Sequence, residues 1–227
     1  SEVTEFKASD DFEGKLRILN QLVNECFHNA EAKKILHQMS ITDRLTGLYN
    51  RIYFDKKFFE YLHDLSINGE LFYLTMLDIN GLKEINDTYG HSVGDQLLTG
   101  FSTALKHTLR SMRSNFTAVR FGGDEFVIMG KGDEANAKNL ATTLKSKLSK
   151  RNIHVHMDYV HVSIPVNFSI GFVKSPVVKG LEGKKILYDE ELSKEYMINM
   201  LVQADKNMYQ DKRENCNFNR TWGWISG

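Results

Sequence analysis

Residues 122–125 read Gly-Gly-Asp-Glu and lie between two β-prone runs. The two glycines predict a tight hairpin, because glycine takes positive φ without steric cost. Glycines also let a ligand approach the backbone, and the acids Asp124 and Glu125 offer carboxylates for a hard cation. A lone Gly-Gly-Asp is more typical of a solvated turn, so the choice between a turn and a ligand site depends on the rest of the sequence.

A third acid lies near the end of an apolar, β-prone run. Residues 71–79 predict a buried strand, and Asp78 is its one acid. Ligands gather at the carboxyl ends of strands in open sheets, so Asp78 is placed where a metal ligand would lie. Gly81 then allows a turn whose N–H groups could point at a phosphate, and Lys83 could add a positive charge there.

The elements that must position these residues are helices and strands in alternation. Helical periodicity covers residues 51–66, 93–113, 134–150 and 190–214. Strand signals cover 71–79, the hairpin at 116–130, and one or two strands over 153–173. Residues 174–192 look like a surface loop. The order predicts an α+β (α/β sandwich) fold with helices on a central sheet.

The first 40 residues have a pattern of their own. Apolar residues recur at spacings of four and three, at Phe12, Leu16, Leu19, Val23, Cys26 and Ala30. This short heptad seam fits either a dimerising stalk or an amphipathic helix packed on its own domain. We expect a helical segment over 1–40, a main domain over 41–216, and a tail over 217–227 in which Trp222 and Trp224 hint at packing.

Composition excludes several classes of protein. The 227 residues carry 29 basic and 29 acidic side chains, which argues against nucleic acid or a membrane surface as the main partner. No apolar run approaches a membrane span. Two distant cysteines, Cys26 and Cys216, suggest a reduced, cytoplasmic protein. The sequence starts at Ser1 without methionine and shows no signal peptide, which leaves room for an upstream sensor or membrane region.

Five ordered motifs give the sequence a family resemblance. They are Asp43 to Arg51, Asp78 to Asp95, Arg120 to Phe126, Ser169 to Gly171, and Ala204 to Lys212. Together they resemble the GGDEF family, the diguanylate cyclases. The resemblance implies a central, mainly antiparallel sheet flanked by helices, like that of polymerase palms and adenylate cyclases. It also implies condensation of two GTP molecules into cyclic di-GMP and two pyrophosphates by a homodimer.

The resemblance assigns roles at the acids. Asp78 and Asp124 would bind Mg²⁺ or Mn²⁺, with the Ile79 carbonyl as a further ligand and Glu125 in support. Asp124 would also help to deprotonate a ribose 3′-OH. Gly122 and Gly123 would let the backbone lie against the nucleotide. Phosphoryl transfer depends mainly on positioning and charge neutralisation, which these residue types can supply.

Substrate contacts follow from the same resemblance. Asp95 would accept hydrogen bonds from the two adjacent donors of guanine, and Asn86 would hold the other edge of the base. Adenine lacks these donors and would leave a buried carboxylate at Asp95 unpaired. Capping is the alternative role for both residues. Lys83 and Lys212 would hold phosphates. The remaining substrate-side positions are Leu82 and His91, and for His91 a capping or core role is favoured. Asp43, Arg51 and Asp205 look structural.

The sequence departs from the family pattern at two places. Cys216 stands where many members carry a phosphate-binding Arg, although Arg213 follows Lys212 directly. Phe116 stands where the acid of the product-binding Arg-x-x-Asp motif would lie, three residues after Arg113. An apolar side chain cannot accept from guanine, so we expect weak or absent feedback inhibition.

Two other functions remain open. The first is a catalytically silent GGDEF module that senses GTP or cyclic di-GMP. The second is an enzyme that makes another cyclic dinucleotide. Silent members usually lose acids at the hairpin, whereas this sequence keeps Asp78, Asp124 and Glu125.

Overall fold

The computed structural model describes the backbone of residues 2–112, 115–157, 160–176 and 181–216. It divides into two units, residues 1–41 and 42–227. The first unit is a single helix, α1 (Glu2–Ile41), which confirms the predicted N-terminal helix. Leu19 and Val23, two positions of the predicted heptad seam, are 57% and 44% exposed. None of the described helices is long and apolar enough to cross a membrane.

The second unit contains six helices and six strands within the described ranges. The helices are α2 (Arg51–Asn68), α3 (Leu82–Tyr89), α4 (His91–Ser111), α5 (Glu134–Leu148), α6 (Leu181–Tyr188) and α7 (Glu190–Cys216). The strands are β1 (Phe72–Ile79), β2 (Phe116–Gly122), β3 (Glu125–Lys131), β4 (Asn152–Met157), β5 (Val160–Pro165) and β6 (Phe168–Lys174).

Four strands form an antiparallel sheet in the order β2-β3-β1-β6. The central strand β1 is buried along its whole length. Strands β4 and β5 pair with each other as a separate two-stranded ribbon. The predicted fold class, an antiparallel sheet flanked by helices, is therefore confirmed.

The two faces of the sheet carry separate apolar cores. Since side chains alternate along a strand, the odd positions of β1 and its even positions face opposite sides. Tyr73 and Leu77 join the core built with α4 and α5, whereas Leu74 and Met76 join the core built with α2 and α7. Asp78 is at an even position of β1, so its side chain lies on the face of the sheet that α2 and α7 cover.

Helix α7 packs directly on the edge strand β6. A Cβ on Gly171 would lie 2.0 Å from the Met208 nitrogen, so only glycine permits this approach. The Asn207 side chain donates to the Phe172 carbonyl at 2.7 Å, and the Asp211 carboxylate accepts from the Ile170 N–H at 3.0 Å. These bonds satisfy groups on the open edge of β6 and fix the position of α7.

Three predictions about elements were wrong. The stretch 153–173 contains parts of three strands instead of one or two, because β4 and β5 pair as an antiparallel ribbon and β6 begins at Phe168, after Pro165 has ended β5. The predicted loop 174–192 includes helix α6. A short helix, α3, follows the turn at Gly81 where no separate helix was expected. The predicted packing of Trp222 and Trp224 lies outside the described residues.

Candidate active site

The Gly-Gly-Asp-Glu segment forms the predicted hairpin between β2 and β3. Only Gly123 takes positive φ, at 48°, while Gly122 ends β2 beside a register shift. Both glycines are exposed, and a Cβ built on either would have no atom within 4 Å. Since Gly122 has neither positive φ nor a crowded neighbour, the fold itself does not require glycine there. The open space leaves the backbone accessible to a ligand.

Arg120 fixes the tip of this hairpin. Its Nε and Nη2 donate to the Gly123 carbonyl at 3.0 and 2.8 Å, and Nη1 lies 3.3 Å from Asp43 Oδ1. Asp43 also accepts from the backbone N–H and the hydroxyl of Thr46. The hairpin is thus tied to the turn before α2. Sequence reasoning expected a structural Asp43 but gave no role to Arg120, whose partner lies 77 residues away.

The acids meet at one end of the sheet. Asp78 on β1 is paired directly with Glu125 on β3, and the Ile79 N–H donates to the Asp124 carbonyl at 3.2 Å. Like charges directly opposite each other on neighbouring strands destabilise a sheet. The sequence therefore places two carboxylates where the fold gains nothing from them unless a cation lies nearby.

Lys212 supplies one such cation from α7. Its ammonium donates to Asp78 Oδ1 at 2.6 Å, and the Asp78 residue is only 9% exposed. Lys212 and Asp205 are separated by about two helical turns, and Asp205 acts electrostatically on both Asp78 and Glu125. The structure thus brings Lys212 to the acids rather than leaving it as a solvated lysine.

Burial and mutual repulsion disturb the titration of these acids. Burial raises the pKa of Asp78, and the carboxylates of Asp124 and Asp205 raise it further against the opposing effect of Lys212. Burial also raises the pKa of Glu125, again with Asp124, Asp78 and Asp205 adding to the effect. Perturbed carboxylates of this kind cluster at functional sites.

The raised pKa of Glu125 gives a stability prediction. The folded protein holds this proton more tightly than the unfolded chain, so stability is lost as the pH rises through the folded pKa. The full cost is present once the pH lies above the folded pKa. We expect Glu125→Gln to raise the free energy of unfolding at neutral pH. Its advantage should shrink as the pH falls through the raised folded pKa and should be gone below the ordinary value of 4.5.

Urea unfolding of both proteins across a pH series, without divalent cations, measures this difference. Glu195→Gln is the matched control, since Glu195 is an exposed acid on α7. Lower stability of Glu125→Gln at neutral pH would show that the Glu125 charge stabilises the fold.

The oxygen ligands at this site are of the type that binds a hard cation, but the side chains are not arranged as a complete ligand set. Carboxylates and a main-chain carbonyl are the ligands that Mg²⁺ prefers. Among the side chains that the structure describes, no three His, Cys, Asp or Glu converge closely enough to hold a metal ion. The Lys212 ammonium instead lies against Asp78 and partly balances the negative charge of the acids.

The predicted base-binding residues lie on α3 and α4. The side-chain oxygen of Asn86 is buried without a hydrogen-bond partner. A Cβ on Gly94 would lie 1.9 Å from that oxygen, so Gly94 makes room for it. A buried acceptor without a donor costs free energy, and a ligand that donates to it would recover that cost. The role of Asn86 in binding the base stays a prediction.

The other predicted substrate-binding residues are either exposed or part of the apolar core. Asp95 was expected to be buried, but it is exposed on the first turns of α4. His91 is also exposed, so the favoured core role is wrong, and the N-cap residue of α4 is Gly90 rather than His91. Lys83 is exposed, and the Leu82 side chain belongs to the core.

A polar network supports the end of β1 next to the acids. The Asn80 side chain donates to Asn167 Oδ1 at 3.1 Å and accepts from the Ser169 hydroxyl at 3.1 Å. This explains the first residue of the Ser169–Gly171 motif, while Gly171 admits α7. Sequence reasoning missed Asn80 and Asn167, because 87 residues separate them.

Comparison with known proteins agrees with this geometry. A model of the diguanylate cyclase GGDEF domain matches residues 40–218. Diguanylate cyclase A of Treponema denticola is 30% identical over 165 residues, which are 69% of this chain and 43% of that protein. The bifunctional diguanylate cyclase/cyclic di-GMP phosphodiesterase MucR of Pseudomonas aeruginosa is 31% identical over 188 residues, 83% of this chain and 24% of that protein. The chain spans less than half the length of these relatives.

Solved structures show the same fold. The coiled coil and GGDEF domain of DgcB from Caulobacter crescentus, in complex with c-di-GMP, gives a TM-score of 0.67 at 24% identity, over 86% of this chain and 93% of that one. Diguanylate cyclase SiaD from Pseudomonas aeruginosa, in complex with its activator SiaC, gives 0.64 at 21% identity, over 93% and 74%. With its family match extending over most of the second unit, the chain belongs to the GGDEF family of diguanylate cyclase domains.

Proposed function

We propose that this chain is an active diguanylate cyclase domain, which condenses two GTP into cyclic di-GMP and two pyrophosphates. The observation that carries the proposal is the pairing of Asp78 with Glu125 across the sheet, beside Asp124. This arrangement is unfavourable for folding, and it is suited to holding the cations that neutralise charge in phosphoryl transfer. Silent family members have no need of such a cluster.

In this proposal each ribose 3′-OH attacks the α-phosphate of the other GTP, and pyrophosphate leaves. Asp124 accepts the hydroxyl proton as the new phosphorus–oxygen bond forms. Asp78, Asp124, Glu125 and the Ile79 carbonyl would hold Mg²⁺ or Mn²⁺, which neutralises charge on the phosphates. The Lys212 ammonium would leave Asp78 for the β- and γ-phosphates, and Lys83 would join it there.

Guanine recognition rests on Asn86 and Asp95. The unpartnered oxygen of Asn86 would accept a donor from the base. Asp95, exposed in the free protein, would be covered by the base and accept from its N1–H and N2 amine. An adenine leaves both acceptors without these donors, so GTP is favoured over ATP in both half-sites.

Catalysis requires two copies of the chain, because each copy holds one GTP. We propose a homodimer in which α1 supplies part of the contact. In support, α1 exposes the apolar side chains of Leu19, Val23 and Phe27. The structurally similar DgcB fragment contains a coiled coil together with its GGDEF domain.

The test is incubation with Mg²⁺ and GTP, with and without ATP, followed by chromatography of the products. Cyclic di-GMP alone supports the proposal. A mixed purine product would indicate another cyclic dinucleotide synthase. Binding of GTP or cyclic di-GMP without turnover would indicate the silent sensing module and refute the proposal.

Gly122→Ala is expected to reduce activity toward GTP without changing the stability of the fold. The added methyl meets no protein atom, so the melting temperature should stay unchanged. If the nucleotide lies against this backbone, the methyl displaces it, and kcat/KM for GTP should fall about 10- to 100-fold. Steady-state kinetics and thermal unfolding on the same preparation measure both effects. Wild-type kinetics in Gly122→Ala would remove the hairpin backbone from the substrate site.

Product inhibition is expected to be weak. Phe116 is half-buried, packs against the core, and lines a cavity of about 730 Å³. It presents no acceptor to a guanine, and Arg113 lies outside the described residues. Initial rates should therefore hold steady when low micromolar cyclic di-GMP is added. Inhibition that Arg113→Ala relieves would contradict this expectation.

A further inference from the structure

Positively charged side chains lie on both sides of the carboxylates at the hairpin end of the sheet. Lys212 on α7 contacts Asp78 directly. Arg51, the first residue of α2, lies against Phe121 on β2. In the strand order β2-β3-β1-β6, the acids of β3 and β1 come between β2 and the edge strand β6, on which α7 packs. Arg51 is therefore on the opposite side of the acids from Lys212.

The Arg51 guanidinium is held over an aromatic ring beside the hairpin. Its central carbon lies 4.6 Å from the centroid of the Phe121 ring. That ring is itself fixed, because it packs edge-on against the buried Phe54 at a centroid distance of 5.1 Å, within the core on the sheet face that also carries Asp78. Phe121 directly precedes Gly122, whose backbone is open to a ligand. Attraction to the ring leaves the N–H donors of the guanidinium available for hydrogen bonds.

Arg51 was expected to be structural, but the described contacts leave its charge without a direct partner. It is exposed, and none of the ion pairs among the described residues includes it. Two acids act on it only through space, Asp55 one turn further along α2 and Glu125 of the hairpin. By contrast, Arg120 already donates to a carbonyl and lies beside a carboxylate. Arg51 thus brings a positive charge close to the acids without being neutralised by an ion pair.

We propose that Arg51 binds the triphosphate of the nucleotide and reaches it from the side of the acids opposite Lys212. This inference rests on the proposed function and adds a residue to the same substrate site. A guanidinium presents paired N–H donors that match two phosphate oxygens at once, which an ammonium does not. Arg51 would supply the guanidinium that is missing at Cys216, where many family members carry a phosphate-binding Arg.

The beginning of α2 adds to the positive charge of Arg51. The first turn of this helix contains no acidic residue. The N-terminal end of a helix carries a partial positive charge, which an acid in the first turn would offset. The guanidinium and the helix end therefore both favour an anion at this side of the hairpin, whereas the acids of β1 and β3 favour the cation that accompanies a triphosphate.

The experiment measures binding of 3′-deoxy-GTP to the full chain by calorimetry in the presence of Mg²⁺. This analogue keeps the base and the triphosphate but lacks the attacking hydroxyl, so it binds without being condensed. Arg51→Gln should weaken its binding about tenfold or more, as expected for a lost hydrogen bond to a charged group. Added salt should weaken binding to the wild type more steeply than binding to Arg51→Gln, because one charged contact is gone. Arg51→Lys keeps the charge without the paired donors and should bind with intermediate affinity.

Lys56→Gln is the matched control, since it removes one positive charge from another exposed position of α2 and should keep wild-type affinity. Equal affinity in Arg51→Gln and the wild type would overturn the proposal, as would an equal loss in Lys56→Gln or a loss confined to Arg213→Gln. If the wild type binds 3′-deoxy-GTP through Arg51 but forms no cyclic di-GMP from GTP, the proposed function alone fails. A wild type that does not bind 3′-deoxy-GTP would overturn both.

Discussion

Asp124→Asn is expected to lower the rate of cyclic di-GMP formation by about a hundred- to ten-thousandfold, the range that a positioned proton acceptor contributes. Asparagine keeps the shape of the side chain but neither accepts the 3′-OH proton nor carries the charge that holds a metal. Asp124 is half-buried at the hairpin tip and repels both Asp78 and Glu125. Removing its charge should therefore leave the fold at least as stable as that of the wild type.

The loss of turnover must be distinguished from loss of structure. Asp133→Asn is the matched control: the same replacement two residues after the other end of β3, where asparagine caps α5 as well as aspartate does. It should keep both activity and melting temperature. Unchanged turnover in Asp124→Asn would remove Asp124 from the proposed mechanism.

Metal binding provides a readout apart from turnover. Mn²⁺ bound at the acids can be followed by water-proton relaxation in the absence of nucleotide. Asp124→Asn should weaken this binding, and Asp133→Asn should not. If Asp124→Asn loses turnover but keeps wild-type Mn²⁺ affinity, Asp124 acts on the hydroxyl proton alone and the ligand set must be revised.

The sequence predicted the local features of this site well. The hairpin follows from two adjacent glycines, and the strand at 72–79 follows from an apolar run with one acid at its end. Both depend on the conformational preferences of neighbouring residues. The family resemblance implied that Asp78 and Glu125 serve one metal site, but their direct pairing across the sheet was not predicted, since strand register is not visible in either strand alone.

Contacts between distant residues could not be predicted in the same way. The Lys212–Asp78 ion pair joins residues 134 positions apart, and it depends on how closely α7 approaches the sheet at Gly171. The exposure of Asp95 likewise depends on how α4 packs. A sequence pattern shows that a carboxylate is present on a helix, but burial is decided by the neighbours that the fold supplies.

The second large effect concerns the number of chains needed for catalysis. Mixing wild-type protein with excess Asp124→Asn protein is expected to reduce the activity per wild-type chain in proportion to the wild-type fraction. If each half-site forms one of the two phosphodiester bonds, only dimers of two wild-type chains complete the ring. Their number falls with the square of the wild-type fraction when subunits exchange freely.

Mixed dimers should leave a product of their own. The wild-type half-site can still support one attack of a 3′-OH on an α-phosphate, whereas the altered half-site cannot support the second. A linear dinucleotide that retains one triphosphate should therefore accumulate, and chromatography separates it from cyclic di-GMP. Energy transfer between labelled chains verifies that subunits exchange, and excess Asp133→Asn protein in place of Asp124→Asn should leave activity per wild-type chain unchanged.

How the activity per wild-type chain depends on the mixing ratio distinguishes an active site shared between two chains from one that is complete within a single chain. If one chain could hold both GTP molecules, activity per wild-type chain would stay constant at every mixing ratio, and no linear product would appear. Proximity supplies much of the catalytic advantage when two reactants are held in place, and here the second reactant must be brought by another chain. Constant activity despite proven subunit exchange would therefore refute the homodimeric mechanism while leaving the role of Asp124 intact.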